Sequence, residues 1–234
     1  MYENDVIQEV NGRSNFFTSV FVWMFLGLLI TAVTAYSLVS TGLVIPFLLN
    51  PVLTWVFFIA EFVLVYYISK STHENNVSST RTKILFIVYS IVNGITLSSV
   101  FLVYSVGLIY KAFFGAALMF GVMAIYGHYT KADLSKFGSI LVMGLIGVII
   151  VSLLNFIFSF LGMASGQLDL ILGYITLFIF LGLTAWDIQK LKAIQNIAQS
   201  EEMVKSLAVY GALSLYLDFI NLFLSLLRIS SSRD

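Results

Sequence analysis

Residues 206–229, SLAVYGALSLYLDFINLFLSLLRI, carry one acid, Asp218, near the middle and one base, Arg228, at the end. The rest of the stretch is apolar or weakly polar over the roughly 20 residues that a bilayer-spanning helix needs. A charge at mid-bilayer costs about 2.5–3.5 kcal/mol on insertion scales, so Asp218 requires a partner, a proton or water. Ser214, Asp218, Asn221 and Ser225 are spaced 4, 3 and 4 apart. At 3.6 residues per turn they share one helix face, and that face cannot look at lipid. The stretch is therefore expected to be a central helix with others wrapped around it.

Two further acids lie within or at the end of apolar runs: Glu61 in the second and Asp187, after Trp186, in the sixth. Asp187 and Asp218 are symmetric about position 202.5, each 15.5 positions away. If the last two spans form an antiparallel hairpin turning at Glu201, Glu202 and Met203, the two carboxyls reach equal depth and become neighbours. Two carboxylates a few ångströms apart in a poorly solvated site cannot both ionise near neutrality. They share a proton and titrate as a pair. The other arrangement left open is a turn elsewhere, with each acid meeting its own partner.

The elements that must position these acids follow from composition. Charged residues are 10% of the chain and hydrophobic residues 59%, against roughly 25% charged in a soluble domain. The fold class is thus an all-α integral membrane protein of seven transmembrane helices with the last one central. The spans are expected at about 16–44, 52–69, 84–106, 109–126, 138–161, 168–187 and 206–229, after a loosely ordered polar tail over 1–15; residues 16–234 form a single domain. The sixth helix can continue into IQKLKAIQNIAQ. Long unbroken apolar runs exclude a barrel, which would show alternating segments of about ten residues. No internal repeat is clear. With the N-terminus cytoplasmic, the inner segments hold nine Lys or Arg and the outer ones three, as the positive-inside rule asks. Six spans with a re-entrant last segment is the weaker alternative.

The absence of cysteine excludes disulfides, thiolate metal sites and a cysteine nucleophile. Zero net charge and no basic patch exclude nucleic acid as a partner. No tightly bound cofactor is expected, and the lipid bilayer is the expected surroundings. Asn93, Thr96 and Ser99 run at three-residue spacing on the third span and line a wet path or bond between helices. Asn155 has the same two readings. Gly144 with Gly147, and Gly115 with Ala116, let helices approach closely. Asp133, Leu134 and Ser135 can cap the fifth span.

ALSLYLDFINLFLSLLR, residues 212–228, resembles the last span of the Bax inhibitor-1 (TMBIM) family, and AWDIQKLK, residues 185–192, resembles the aspartate-containing end of its sixth span. NGITLSSV at 93–100, KADLSKFG at 131–138 and Asn155 within LLNFIF extend the likeness over most of the chain from Glu61 onward. The resemblance implies a seven-helix fold with the last helix in the middle; the short loops and compact tail point to a bacterial inner membrane. It also implies an aspartate pair, here Asp187 and Asp218, acting as a pH sensor in a calcium leak pathway, with calcium and protons as the ions handled. Glu61 matches the second-span acid linked to the pore. Asn93, Thr96 and Asn221 are the further pore or gating positions. Calcium is expected to meet Asp187, Asp218 and Glu61 only transiently, because it wants six to eight oxygen ligands. In bacterial relatives an arginine near the inner end of the second span latches onto the pair. Here the nearest base is Lys70, which lacks the fork that grips two carboxylates.

An intramembrane aspartyl protease would carry Gly-x-Gly-Asp, but the chain reads Leu215-Tyr216-Leu217-Asp218, so an enzyme is not expected. A non-conducting regulator of a protease or of a stress or cell-death pathway, acting through an unknown membrane-protein partner, is the main alternative. A proton-coupled transporter is another.

Overall fold

Inside a bilayer no water is at hand for backbone N–H and C=O groups, so each apolar run must satisfy them internally, as a helix. The computed structural model describes residues 2–72, 77–160, 166–195 and 200–231. Among the described residues, regular structure is helical throughout: α1 Tyr2–Ser40, α2 Val44–Leu49, α3 Pro51–Ser71, α4 Ser79–Leu97, α5 Val100–Val103, α6 Val106–Tyr129, α7 Ser135–Phe160, α8 Gly166–Gln195 and α9 Glu201–Ser231. Seven stretches are long and apolar enough to cross a membrane, with α4 and α5 counting as one. The chain is an all-α protein built for the bilayer.

The helix ends follow local chemistry. The first span stops at Ser40, and Gly42, at φ +74°, turns the chain as a side chain would resist. Asn50 accepts from Leu53 N–H at 3.2 Å, with Pro51 in the first turn, where a missing N–H costs nothing. Ser105 caps α6 through Leu108 N–H. The third span is interrupted between α4 and α5. There Ser98 donates to the Ile95 carbonyl at 2.6 Å and Ser99 to the Thr96 carbonyl at 2.9 Å, competing with the helix ladder.

Three expectations change. The first residues, expected as a loose tail, are helical from Tyr2 onward as the opening of α1. Glu201 and Glu202 do not form the turn before the last span. They lie in the first turn of α9, where a helix N-terminus favours negative charge. Gly147 meets nothing within 4 Å, so the close approach expected there is made instead by other glycines, chiefly Gly127 and Gly138.

The chain divides into two compact units, one of 1–103 with 193–216 and one of 104–192 with 217–234. In the first unit, α1 and α3 pack on α4. A ladder of buried hydroxyls ties its helices. Ser71 Oγ and Thr82 Oγ1 lie 2.8 Å apart, and Thr82 Oγ1 and Ser206 Oγ 2.7 Å apart. Glu202 Oε2 accepts from Ser79 N–H at 3.0 Å, capping α4 from another helix. In the second unit, Phe219 of α9 stands edge-on to Phe113 and Phe120 of α6, with ring centroids 5.4 and 5.9 Å away.

Helix α9 supplies its first half to one unit and its second half to the other. Of its apolar stretch 72% is buried, against 44% for α8, the next most enclosed. Helix α3 is the opposite case at 6%; Trp55, Val56 and Phe62 face outward, as a lipid-facing helix requires.

Candidate functional site

In the second unit, α8 contributes Asp187 and α9 contributes Asp218, which are 8% and 3% exposed. Asp187 acts electrostatically on Asp218, and so does Lys190. The hairpin symmetry that suggested the pairing does not hold, because Asp187 stands eight residues before the end of α8 and Asp218 seventeen after the start of α9. The acids come within reach of one another by helix packing, not by equal steps from a turn.

One turn before Asp187, the fully buried Thr184 hydrogen-bonds Asp218. Its hydroxyl donates to the Phe180 carbonyl at 2.7 Å. Asp218 Oδ2 is buried with no hydrogen-bond partner among the described residues. Lys190 Nζ lies 5.1 Å from the centre of the Trp186 ring, a cation–π placement that holds the ammonium beside its own helix. Within this unit, the base that acts on Asp218 is Lys190. Lys70, the base that the sequence offered, belongs to the first unit and is exposed in the last turn of α3. Spacing was the available signal, since Lys190 is three residues after Asp187 and on the same helix face.

The segment carrying Asp187 sits closely on its neighbours. A Cβ at Gly127 would run into the Ala185 backbone, and one at Gly138 would run into the Trp186 ring. Only glycine admits these approaches, and Ala185 and Trp186 immediately precede the acid.

In the first unit, Glu61 of α3 takes hydrogen bonds from Thr96 and Asn93 of α4, while its buried Oε1 has no partner among the described residues. Tyr216 of α9 donates to Asn93 Oδ1 at 2.7 Å. With the oxygen of the Asn93 amide thus engaged, its NH₂ is the end left for Glu61. The Thr31 hydroxyl is 2.6 Å from the Tyr216 oxygen and 2.9 Å from the Ser90 carbonyl. Tyr216 is fully buried, with Phe86 and Tyr89 edge-on at 6.0 and 5.7 Å. The sequence reading passed over Tyr216 and Thr31, because one aromatic or hydroxyl in an apolar helix leaves no periodic mark.

Two amides singled out in the sequence have hydrogen-bond partners, and for Asn155 the partner is on another helix, one of its two readings. Asn221 Nδ2 donates to the Leu217 carbonyl of its own helix at 2.8 Å. Asn155 Nδ2 donates to Asp169 Oδ1 at 2.9 Å; that acid, in the first turn of α8, was overlooked among the span acids. Asp133 Oδ1 accepts from Ser135 N–H at 2.9 Å and so caps α7. Among the described residues, no three His, Cys, Asp or Glu gather as metal ligands. Two carboxyls alone supply fewer oxygens than the six to eight that a calcium cage takes.

A sequence profile of the family described as "Inhibitor of apoptosis-promoting Bax1" matches residues 13–234. The chain is 40% identical over 233 residues to "Inner membrane protein YbhL" of Escherichia coli strain K12, covering 98% of this chain and 97% of that one. It is 39% identical over 228 residues to an uncharacterized protein of Borreliella burgdorferi, covering 97% and 95%. An uncharacterized membrane protein of Streptococcus pyogenes serotype M1 is 33% identical over 226 residues, covering 95% of each chain.

Proposed function

The chain belongs to the Bax inhibitor-1 family, and from that premise we propose that it is a pH-sensitive calcium leak gated by Asp187 and Asp218. The observation that carries the proposal is the state of Asp218. It is a carboxyl 3% exposed, acted on by a second carboxyl, with one oxygen lacking any partner among the described residues.

Thr184 stands within hydrogen-bond reach of both Asp218 and the Phe180 carbonyl, and its single hydrogen serves one of them at a time. Two like charges that act on one another in a low-dielectric site repel strongly. The pair therefore holds one proton between two acids, with Lys190 offsetting the remaining charge. Changing the charge on the pair changes the force between α8 and α9, and with it the width of the path.

In the first unit Glu61, held by Asn93 and Thr96, offers a carboxyl of its own to a cation, and its unpartnered oxygen is the one available to that ion. Weak sites suit passage, since conduction needs release as much as entry. The reading carries no covalent chemistry and no tightly bound cofactor. The name of the Escherichia coli relative supports a bacterial inner membrane. The charge bias of the loops supports a cytoplasmic N-terminus.

The test is calcium uptake into proteoliposomes between about pH 5 and pH 8, where acid–base switches of proteins commonly operate. Asp187→Asn and Asp218→Asn should each flatten the pH profile. Profiles identical to that of the unaltered protein would refute the sensor.

A further inference from the structure

The inner part of α8 is fastened to the connection between α6 and α7 by side chains that follow Asp187. Gln189 Oε1 accepts from the Leu134 backbone N–H at 2.8 Å, and Gln189 Nε2 donates to the Ala132 carbonyl at 2.7 Å. Lys192 Nζ donates to the His128 carbonyl at 2.6 Å. Residues 130–134 lie between the end of α6 and the start of α7, so their backbone groups have no helix ladder of their own. Leu134 is only 8% exposed, and a buried N–H there must find a partner. A glutamine amide offers one acceptor and a donor at fixed spacing. Only one of its two orientations satisfies an N–H and a C=O together.

The same turn is fixed on its other side by the approaches of Ala185 to Gly127 and of Trp186 to Gly138. Asp187 stands between these contacts and the Gln189 fork. A helix gripped both before and after a residue has little freedom to rotate or slide at that residue. The interaction of two charges varies inversely with their separation. The coupling of Asp187 to Asp218 therefore depends on this grip.

We infer that Gln189 is a positioning residue, whose fork on residues 132–134 sets the height and rotation at which α8 presents Asp187 to Asp218. The inference rests on the reading of that pair as a proton-sharing sensor. The charged groups nearest are accounted for. Lys190 acts on Asp218 from α8 itself. On the α6–α7 connection, Asp133 is bonded to Ser135 N–H, and Lys131 and Lys136 are exposed. His128, at the end of α6, gives its carbonyl to Lys192.

The test uses the full chain in lipid, with Gln189→Leu removing both bonds and Gln189→Glu keeping the acceptor while losing the donor. Protonation of the pair is read from the infrared carboxyl stretch, assigned with Asp187→Asn and Asp218→Asn; calcium flux and thermal unfolding are followed in parallel. Loosening the grip lets the acids draw apart and weakens their repulsion. In Gln189→Leu the shared proton should leave about one pH unit lower, and the flux profile should move with it. Gln189→Glu also brings a negative charge two residues from Asp187, which disfavours ionisation, so its proton should leave at higher pH than in Gln189→Leu. A lower melting temperature with an unmoved carboxyl titration would make Gln189 a structural tie only and overturn the inference. Should the unaltered protein show no paired titration, the sensor reading itself fails. Spin labels at Lys131→Cys and Ile175→Cys, in a chain with no cysteine of its own, then decide. An unchanged label separation in Gln189→Leu overturns the positioning role, and a changed one sustains it.

Discussion

The Tyr216 hydroxyl donates to Asn93 Oδ1 over 2.7 Å, and through that bond a residue of α9 fixes which end of the Asn93 amide meets Glu61. Removing the hydroxyl alone tests the link. Tyr216→Phe keeps the ring between Phe86 and Tyr89 but leaves Asn93 Oδ1 unpaired in a buried site. A buried acceptor without a donor costs about 1–3 kcal/mol. Thermal unfolding in detergent should show a loss of that order, and an unchanged midpoint would mean that water replaces the hydroxyl.

Gly127 allows α6 to lie on the Ala185 backbone. A methyl group there must push backbone, which cannot step aside as a flexible side chain can. Gly127→Ala should destabilise by about 1–3 kcal/mol. Gly147→Ala serves as the contrast, because Gly147 has open space around it. In a helix interior that change should stabilise by up to about 1 kcal/mol. Equal unfolding midpoints for the two variants would contradict the packing described.

Asp133 accepts from the Ser135 N–H, and this bond holds its carboxyl below the ordinary value of 3.8. A group whose folded value is depressed contributes stability that is present above the unfolded value and lost as pH falls through the folded one. For Asp133 that window lies below about pH 4. Between about pH 5 and pH 8 its charge is constant. Asp133→Asn keeps a capping acceptor and should leave the pH dependence of flux unaltered. A shifted profile would place pH sensing in the α6–α7 connection and not in the aspartate pair.

Thr82 is fully buried between Ser71 and Ser206. Thr82→Val keeps the shape and removes the bridging oxygen from two hydroxyls at once. The expected loss is about 1–3 kcal/mol, read by unfolding. Ser206→Ala should cost less, since Ser71 and Thr82 keep each other. The reverse order would show that the ladder is anchored from α9.

How far the site was legible varies residue by residue. Asp187 and Asp218 stood out because a charge in an apolar run is costly wherever the chain goes. Their nearness was argued from a turn at Glu201–Met203 that proved to be the start of α9, so the reasoning failed where the helix boundary depended on charge at a helix end. Lys190, the base that acts on Asp218, was hidden in a polar segment that reads as solvated. Gln189 gave no signal at all, because its partners are backbone groups 55 and 57 positions away.

What the amino-acid order determined alone is the set of membrane-crossing helices and the acids inside them. Each is a local quantity, the cost of placing a given stretch in hydrocarbon, and needs no knowledge of neighbours. What folding decided is which oxygen meets which hydrogen: Tyr216 on Asn93, Thr184 beside Asp218, Gln189 on residues 132–134. Those contacts join positions from 34 to 123 residues apart. Their energies depend on distance and direction between helices, which no one-dimensional pattern contains.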